Sequence, residues 1–174
     1  GSHWNKFLLD PMLLMTLLKH GLSQNFDVVH AHLHEGALIG SIFAKLKVIP
    51  LVFDFQGSLR AEMLDHGFIS NHDPLEAIFE TLERVINKLP ARIITSSRHS
   101  RNMLIDDFGV PPQVVVEVTD RVDAKIFQPR VAYTDQPARL KHQLGIPEDT
   151  LVVGYLGLLA GYQGITHLLE AALL

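Results

Sequence analysis

The sequence contains no cysteine, and this absence excludes two kinds of chemistry. Without a thiol, the chain forms no disulfide and offers no thiolate as a nucleophile or metal ligand. A chain without cysteine fits a reducing compartment, so we expect a cytoplasmic location. An excess of basic residues is also lacking: the formal net charge is −4 and the sequence pI is about 6.2. This balance does not indicate the broad basic surface of a nucleic-acid-binding protein.

A long hydrophobic run is also missing. The most apolar early stretch, residues 7–18, is interrupted by Asp10 and Pro11 and is shorter than the about 20 residues that span a bilayer. We therefore expect no transmembrane segment. The stretch instead predicts a helix over residues 11–20, with Asp10 as its N-cap and Gly21 at its end. Residues 1–3 resemble the remnant of a cleaved tag and are left out of the fold prediction.

Short apolar runs alternate with helical patterns along the rest of the chain. The strands are predicted at residues 27–32, 48–54, 91–95, 114–118 and 151–156. The main helices between and after them are predicted at residues 37–46, 74–89, 98–108 and 165–174. This alternation predicts an α/β fold, a Rossmann-like parallel sheet of roughly five strands with helices on both faces.

Polar residues follow the predicted strands where each one ends, and ligands bind there in open α/β sheets. The candidate residues after the first three strands are His32, Glu35 and Gly36, then Asp54, Gln56, Gly57 and Ser58, then Ser96 and Ser97. Their amides and hydroxyls suit sugar hydroxyls or phosphate oxygens, whereas helix capping is the competing interpretation, which we favour for Ser97. Arg60 also follows a strand end and could neutralise an anionic ligand.

Three histidines, His30, His32 and His34, raise the question of a metal site. Imidazoles two residues apart on a strand can share an ion, and Glu35 or Asp54 could add an oxygen ligand. The chain has no cysteine and no H-E-x-x-H motif, so we expect no metal. We interpret His30 as a hydrogen-bonded histidine near the sheet and His32 as the functional one.

Other motifs are incomplete. Gly154, Gly157, Gly161 and Gly164 form a glycine-spaced turn, which lets a backbone approach a phosphate. The spacing is neither G-x-G-x-x-G nor a P-loop, so it only weakly indicates a dinucleotide site. No G-x-S-x-G is present, which disfavours a serine hydrolase.

Several segments occur in one characteristic order. They are DVVHAH (27–32), IPLVFD (49–54), ARIITSS (91–97), FGVP (108–111), VD (122–123) with FQP (127–129), LGIP (144–147), VGYLG (153–157), QG (163–164) and LLEA (168–171). In this order they resemble the glycosyltransferases that have two facing Rossmann-like domains, in the retaining, group 1 or family 4-like branch.

The resemblance implies roles for individual residues. His32 matches the family histidine in the cleft and is the candidate catalytic residue. Asp54, Gln56 and Gly57 match the next cleft-side turn, Ser96 and Ser97 the turn after the third strand, and Asp123 the passage towards the hinge. Gly157, Gln163 and Gly164 match the phosphate-side loop of the second domain. This chain differs by having Leu158 and Gln163 where the family commonly has an arginine and a lysine that contact donor phosphates.

The resemblance also implies a domain organisation. Residues 4–132 would be a partial acceptor-side domain, residues 133–149 a linker with a short helix, and residues 150–174 the first strand, loop and helix of the donor-side domain. We thus expect a chain truncated at both ends and inactive in isolation. An exposed sheet edge would seek a partner, either residues 151–174 folded back beside the first strand or a second chain in a homo-oligomer.

The resemblance implies sugar transfer from a nucleotide-sugar donor to a saccharide or small acceptor, with retention at the anomeric carbon. The donor is a substrate, and no cofactor or nucleic-acid partner is expected. Three alternatives stay open: a non-catalytic interaction module or half-domain, a nucleotide-sugar epimerase of similar architecture, and a Rossmann dehydrogenase, which the imperfect glycine turn disfavours.

Overall fold

The structure, a computed structural model, describes residues 6–70, 72–127 and 136–173. These residues contain seven α-helices, four strands and one 3-10 turn at Gly161–Gln163. The helices are α1 (Lys6–Gly21), α2 (Leu33–Lys47), α3 (Leu59–Asp65), α4 (Pro74–Ile86), α5 (Arg98–Asp106), α6 (Gln136–Gln143) and α7 (Ile165–Ala171). The strands are β1 (Val29–His32), β2 (Leu51–Phe55), β3 (Arg92–Thr95) and β4 (Val115–Glu117).

The four strands form one parallel sheet in the order β1-β2-β3-β4. His32 lies opposite Asp54, and Phe55 lies opposite Thr95. Parallel neighbours need a crossover connection, which α2 provides between β1 and β2, and α5 between β3 and β4. The predicted α/β fold with a Rossmann-like parallel sheet is confirmed.

The main apolar core lies on one face of the sheet. The strands contribute Ala31, Phe53, Ile93 and Val115 to it, and the helices contribute Ala37 of α2, Ile86 of α4 and Leu104 of α5. On the opposite face, His30 and Val116 are exposed and Ile94 is half-buried. We expected helices on both faces. In the described part of the chain, the crossover helices share one face, as they do when consecutive parallel strands are joined by connections of one hand.

The predicted fifth strand, residues 151–156, is not formed. This segment is described but has no strand pairing, and Leu151 is 87% exposed. A strand needs a neighbour that completes its backbone hydrogen bonds, and an apolar run alone does not supply one. The prediction that residues 151–174 provide a substitute strand for the sheet is therefore wrong. Among the described strands, β1 pairs only with β2.

Helix α1 begins earlier than predicted, so Pro11 lies inside it rather than at its first position. Proline has no N–H to donate, so the hydrogen bond to the carbonyl of Phe7 is absent there. Asp10 consequently lies within the helix and is not its N-cap.

Helix α4 has the predicted apolar spacing but buries only part of it. Phe79 and Ile86 face inward, together with a fully buried glutamate, Glu83. The remaining apolar positions of the stripe are exposed: Leu75, Ile78, Leu82 and Val85. The helical spacing of apolar residues therefore does not mark these four as buried, and Glu83 instead takes an inward position, where it reaches polar partners.

The chain divides into two compact units, Gly1–Asp120 and Arg121–Leu174. The first contains the whole sheet and α1 to α5. The described part of the second contains α6, the 3-10 turn and α7, and no strand. Within it, Lys141 Nζ donates to the carbonyl of Thr150 over 2.7 Å, which ties α6 to the segment that follows. The finer boundaries at residues 132 and 149 stay predictions.

A histidine and a glutamate are buried together in the first unit. His34 is 3% exposed and Glu83 is 0% exposed, and 3.6 Å separates His34 Nε2 from Glu83 Oε1. Burial lowers the pKa of His34 to about 4, although the negative charge of Glu35 acts in the opposite direction. Burial raises the pKa of Glu83, while hydrogen bonds from Arg60 N–H and Ser58 partly offset this rise. Native His34 is therefore neutral at pH 7.

This burial predicts a pH dependence of stability. Unfolded His34 gains a proton as the pH falls below its ordinary pKa of 6.5, whereas native His34 does so only near pH 4. The native state therefore loses up to about 3 kcal/mol, relative to the unfolded state, between these two pH values. Replacing the imidazole by an apolar side chain, in His34→Leu, should remove this loss.

The measurement is the urea unfolding free energy of both proteins at a series of pH values. The difference between them should be constant above about pH 7.5, where imidazole is neutral in both states. At lower pH, the unfolding free energy of the variant should rise relative to that of the unmodified protein. Since the raised pKa of Glu83 acts in the opposite direction in both proteins, only the difference isolates His34. A difference that does not change with pH would contradict a buried neutral His34.

A second prediction concerns the end of α2. Val48 caps this helix at φ 56° and ψ 44°, a left-handed conformation that strains a β-branched residue, and it is 90% exposed. Val48→Gly should therefore raise the unfolding free energy by about 0.5–1 kcal/mol, since strain is relieved and no packing is lost. Val28, which is exposed and has no positive φ, provides the matched control. Val28→Gly should lower stability by about 0.5–1 kcal/mol, and equal losses in both variants would refute the argument.

Candidate functional site

Three of the predicted polar segments meet at one edge of the sheet. β1 ends at His32, β2 ends just beyond Asp54, and β3 ends at Thr95. Their parallel register places His32 beside Asp54 and Phe55 beside Thr95. The carboxyl ends of these strands therefore form one contiguous edge, the position where open α/β sheets bind ligands.

A row of polar side chains in contact with one another occupies this edge. Asp54 Oδ2 lies 2.9 Å from His32 Nδ1 and accepts a hydrogen bond from Gln56 Nε2 over 3.0 Å. An ionised carboxylate can only accept, so a hydrogen bond between these two atoms requires the proton on His32 Nδ1 and makes Nε2 the accepting nitrogen. The His32 side chain is 61% exposed and that of Asp54 is 21% exposed. Asp54 thus lies against an accessible imidazole that a ligand hydroxyl can reach.

The connection between β1 and α2 is shorter than predicted. We expected a polar turn through Gly36, but α2 begins at Leu33, directly after His32. Leu33 makes this possible by adopting φ 61°, a conformation that an L-residue other than glycine rarely adopts. Glu35 and Gly36 consequently occupy the first turn of α2 instead of a loop. Backbone strain of this kind is concentrated at functional sites, which agrees with the position of Leu33 beside His32.

The edge also contains a possible set of metal ligands. One ligand atom from each of His30, His32 and Asp54 lies within 4.8 Å of the others, and the two imidazole centroids are 4.6 Å apart. His34, the third histidine of the sequence motif, is buried and does not belong to this set. His30 is exposed and its ring contacts that of His32, and the expectation that no metal binds here stays a prediction.

The turn after β2, residues 56–58, is the second part of the site and is named the β2 turn below. Gly57 has φ 155°, a value that side-chain-bearing residues rarely adopt. Ser58 is the N-cap of α3: its Oγ accepts a hydrogen bond from Ala61 N–H over 3.3 Å. Gln56 is exposed, whereas Gly57 and Ser58 are half-buried. Capping thus accounts for Ser58, and Gln56 remains accessible to a ligand.

Sequence patterns did not indicate Glu83, which supports the β2 turn from the interior. Its Oε2 accepts hydrogen bonds from Ser58 Oγ over 2.9 Å and from Arg60 N–H over 3.1 Å. The available signal was the helical phase of α4, in which Glu83 shares the inward side with Phe79 and Ile86. Helical spacing alone does not single out such a glutamate, because charged residues are rarely buried unless they are paired.

Arg60, which we considered for binding an anion, has an intramolecular partner. Its guanidinium donates two hydrogen bonds to Glu76 Oε1, one of them from Nε over 2.7 Å. These bonds hold the pKa of Glu76 below its ordinary value, and a bond from His72 N–H adds to the effect. Arg60 therefore joins α3 to α4.

The two serines that follow β3 have different environments. Ser97 is the N-cap of α5, since its Oγ accepts a hydrogen bond from Ser100 N–H over 3.1 Å. This supports the capping interpretation that we favoured for Ser97. Ser96 is exposed at the edge of the sheet.

The remaining candidate residues belong to the unit Arg121–Leu174. Asp123 Oδ1 accepts a hydrogen bond from Lys125 N–H and so closes a local turn. Gly157 is close to its neighbour Tyr155, whose hydroxyl donates to the carbonyl of Leu158 over 2.9 Å. Gln163 ends the 3-10 turn, and Gly164 precedes α7 with φ 72°. These residues lie in short local turns, and their roles stay predictions.

A depression of about 510 Å³ lies at the opposite end of the sheet from His32. It is lined by residues at the entrances of β2 and β3, including Lys45, Pro50 and Pro90. Most of the lining is apolar, and none of the candidate site residues contributes to it. It is therefore separate from the candidate site.

No helix in residues 6–70, 72–127 and 136–173 has both the length and the hydropathy needed to cross a bilayer.

Known proteins resemble both the sequence and the fold of this chain. It is 26% identical over 147 residues to the D-inositol 3-phosphate glycosyltransferase of Corynebacterium aurimucosum, covering 84% of this chain and 34% of that protein. It is 23% identical over 166 residues to the UDP-Gal:alpha-D-GlcNAc-diphosphoundecaprenol alpha-1,3-galactosyltransferase of Escherichia coli, covering 94% of this chain and 40% of that protein. The chain thus spans 34% and 40% of the length of these two relatives.

Among solved structures, HepE from Anabaena has a similar fold. Its complex with UDP-glucose aligns with a TM-score of 0.67 and 17% identity, covering 98% of this chain and 42% of HepE. Its complex with UDP aligns with a TM-score of 0.66 and 18% identity, covering 94% and 39%. At this identity, the similarity establishes a Rossmann-like half-domain of the GT-B type. The model of Glycosyltransferase Family 4 matches residues 2–123, which include His32, Asp54 and the β2 turn, and the chain therefore belongs to that family.

Proposed function

We propose that this protein takes part in the transfer of a sugar from a nucleotide-sugar donor to a saccharide or small acceptor, with retention at the anomeric carbon. The observation that carries the proposal is the chain from His32 through Asp54 to Gln56 at the carboxyl edge of the sheet. Family membership supports sugar transfer as the reaction class. The E. coli relative is described as a UDP-galactose-dependent transferase, and HepE is described in complex with UDP-glucose.

The proposed roles follow from the hydrogen-bonding capacity of each side chain. His32 Nε2 accepts a hydrogen bond from a hydroxyl of a reacting sugar, and Asp54 keeps the imidazole in the tautomer that can do so. Gln56 and the outer oxygen of Asp54 bind acceptor hydroxyls. Ser96 extends this row along the edge. These groups orient the reacting atoms, which is the contribution that proximity makes to a bimolecular transfer.

The donor side is proposed for the unit Arg121–Leu174, with Asp123, Gly157, Gln163 and Gly164 as its contacts. Backbone N–H groups around glycines suit phosphate oxygens. Leu158 and Gln163 carry no charge, so a diphosphate would be held here without the charge-assisted hydrogen bonds that lysine or arginine provides.

We also propose that the 174-residue polypeptide does not complete the transfer by itself. It spans 34–40% of the length of the two relatives described above. In the described part of Arg121–Leu174 there is no sheet from which a donor site could be built. A site that cannot enclose the donor cannot exclude water from the reacting centre.

The test of ligand class uses the isolated chain and nuclear magnetic resonance. Glucose and UDP-glucose should shift the amide signals of Asp54 and Gln56, and NAD should not. His32→Ala should reduce these shifts at least about tenfold at equal ligand concentration, the factor expected for one lost hydrogen bond to a ligand. The matched control is His20→Ala on α1, which should respond like the unmodified protein.

Two results would contradict the proposal. A response of the edge to NAD but to neither sugar ligand would indicate dinucleotide chemistry instead of sugar transfer. Rapid formation of a glycoside by the isolated chain, followed by mass spectrometry with several nucleotide sugars, would refute the proposed inactivity.

A further inference from the structure

We propose that Glu83 is a positioning residue of the sugar site, because its buried carboxylate fixes the β2 turn from the interior of the protein. The relevance of this role rests on the proposed function, but its evidence is geometric. Glu83 lies on α4 and does not belong to the exposed edge that would contact a ligand. It would therefore act through the residues that it holds.

One oxygen of Glu83 accepts from two donors, one at the end of the β2 turn and one in the first turn of α3. Oε2 accepts from Ser58 Oγ and from Arg60 N–H, and the two donors flank the start of α3. The N–H groups in the first turn of a helix have no partner within the helix. If no acceptor were present, the Arg60 amide would be left without its hydrogen bond in a partly buried position, which is costly. The carboxylate thus determines where α3 begins and, with it, where the β2 turn ends.

The second oxygen faces the other segment of the site. Oε1 lies 3.6 Å from His34 Nε2, and His34 stands in the first turn of α2, two residues after His32. The His34 ring packs edge-on against Phe53 and Phe55 of β2, with centroid distances of 5.3 Å and 5.6 Å. Glu83 is therefore located between the segment that follows β1 and the segment that follows β2. The first begins directly after His32, and the second carries Gln56.

The proposed role needs a hydrogen-bond acceptor at Oε2 and does not need a negative charge. Glutamine has the same shape, and its single carbonyl oxygen can accept both hydrogen bonds in the place of Oε2. Its amide nitrogen would then lie beside His34 Nε2, which can accept when the imidazole is neutral. Methionine fills a similar volume but accepts hydrogen bonds only weakly. Glu83→Gln should therefore preserve the turn, and Glu83→Met should release it.

The first experiment measures native-state amide hydrogen exchange in the isolated chain. In Glu83→Met, exchange at Arg60 and Ala61 should accelerate about tenfold, the factor for one lost hydrogen bond, while the amides of β2 and β3 keep their protection. Glu83→Gln should stay within about threefold of the unmodified protein, because hydrogen bonds vary by that much with context. Glu80→Gln on the solvent side of α4, where Glu80 pairs with Arg84, is the matched control.

The second experiment repeats the titration with glucose and UDP-glucose on the same variants. Glu83→Met should weaken the ligand-induced shifts of Gln56 about tenfold, and Glu83→Gln should restore them. Such rescue separates the loss of the hydrogen-bond acceptor from the loss of charge, because both substitutions remove the same charge, and the protection of the β2 and β3 amides in the first experiment reports on general stability.

The two experiments distinguish failure of this inference from failure of the proposed function. If the unmodified protein binds neither sugar ligand, the proposed function fails, but hydrogen exchange still tests the role of Glu83. If Glu83→Met leaves the exchange of Arg60 and Ala61 unchanged, or if Glu83→Gln accelerates it as much as methionine does, the inference is overturned.

Discussion

The register of β1 against β2 is the constraint on which the candidate site depends. Parallel pairing sets His32 opposite Asp54, and this places a carboxylate within hydrogen-bond distance of an imidazole. Because side chains alternate along a strand, a slip by one residue would turn His32 towards the core and replace Asp54 by an apolar neighbour. The buried alternate residues Ala31, Phe53 and Phe55 prevent such a slip, since they would then face solvent. Core packing thus fixes the chemistry of the edge.

Helix α4 connects the interior to this edge. Its inward side combines the apolar residues Phe79 and Ile86 with Glu83, and its Glu76 holds the side chain of Arg60. Two carboxylates of α4 therefore fix the start of α3. Glu83 does so through the backbone N–H of Arg60, and Glu76 through the guanidinium of the same residue. Buried polar groups of this kind stabilise little by themselves, but they specify one arrangement when their hydrogen bonds are made. The sugar site of the proposed function would depend on that arrangement.

Much of the fold could be predicted from the sequence because its signals are local. Four short apolar runs became strands, and His32, Asp54 and Gln56 were expected where two of these strands end. Residues 151–156 have the same local signal and form no strand, since strand formation depends on a partner that local pattern does not reveal. Glu83 escaped prediction for a related reason: its donor Ser58 is 25 residues away in sequence. The start of α2 depends on the unusual φ of Leu33, which no composition rule indicates.

The same distinction between local and long-range signals explains the limits of the motif argument. The family resemblance was carried by short segments, and three of the five that lie in residues 2–123 overlap strands in the structure. Sequence letters alone could not decide whether Ser58 and Ser97 bind ligands or cap helices, because both roles need an exposed hydroxyl oxygen. The structure assigns them to capping, which leaves His32, Asp54, Gln56 and Ser96 as the accessible groups of the edge.

The central claim is that Asp54 holds His32 in the tautomer that leaves Nε2 free to accept a hydrogen bond. The most direct measurement is the 15N chemical shifts of the His32 ring, recorded at about pH 8, where imidazole is neutral. The account predicts protonation on Nδ1 in the unmodified protein and a change towards protonation on Nε2 in Asp54→Ala. A ring that is already protonated on Nε2, or one that does not respond to the loss of Asp54, would contradict it.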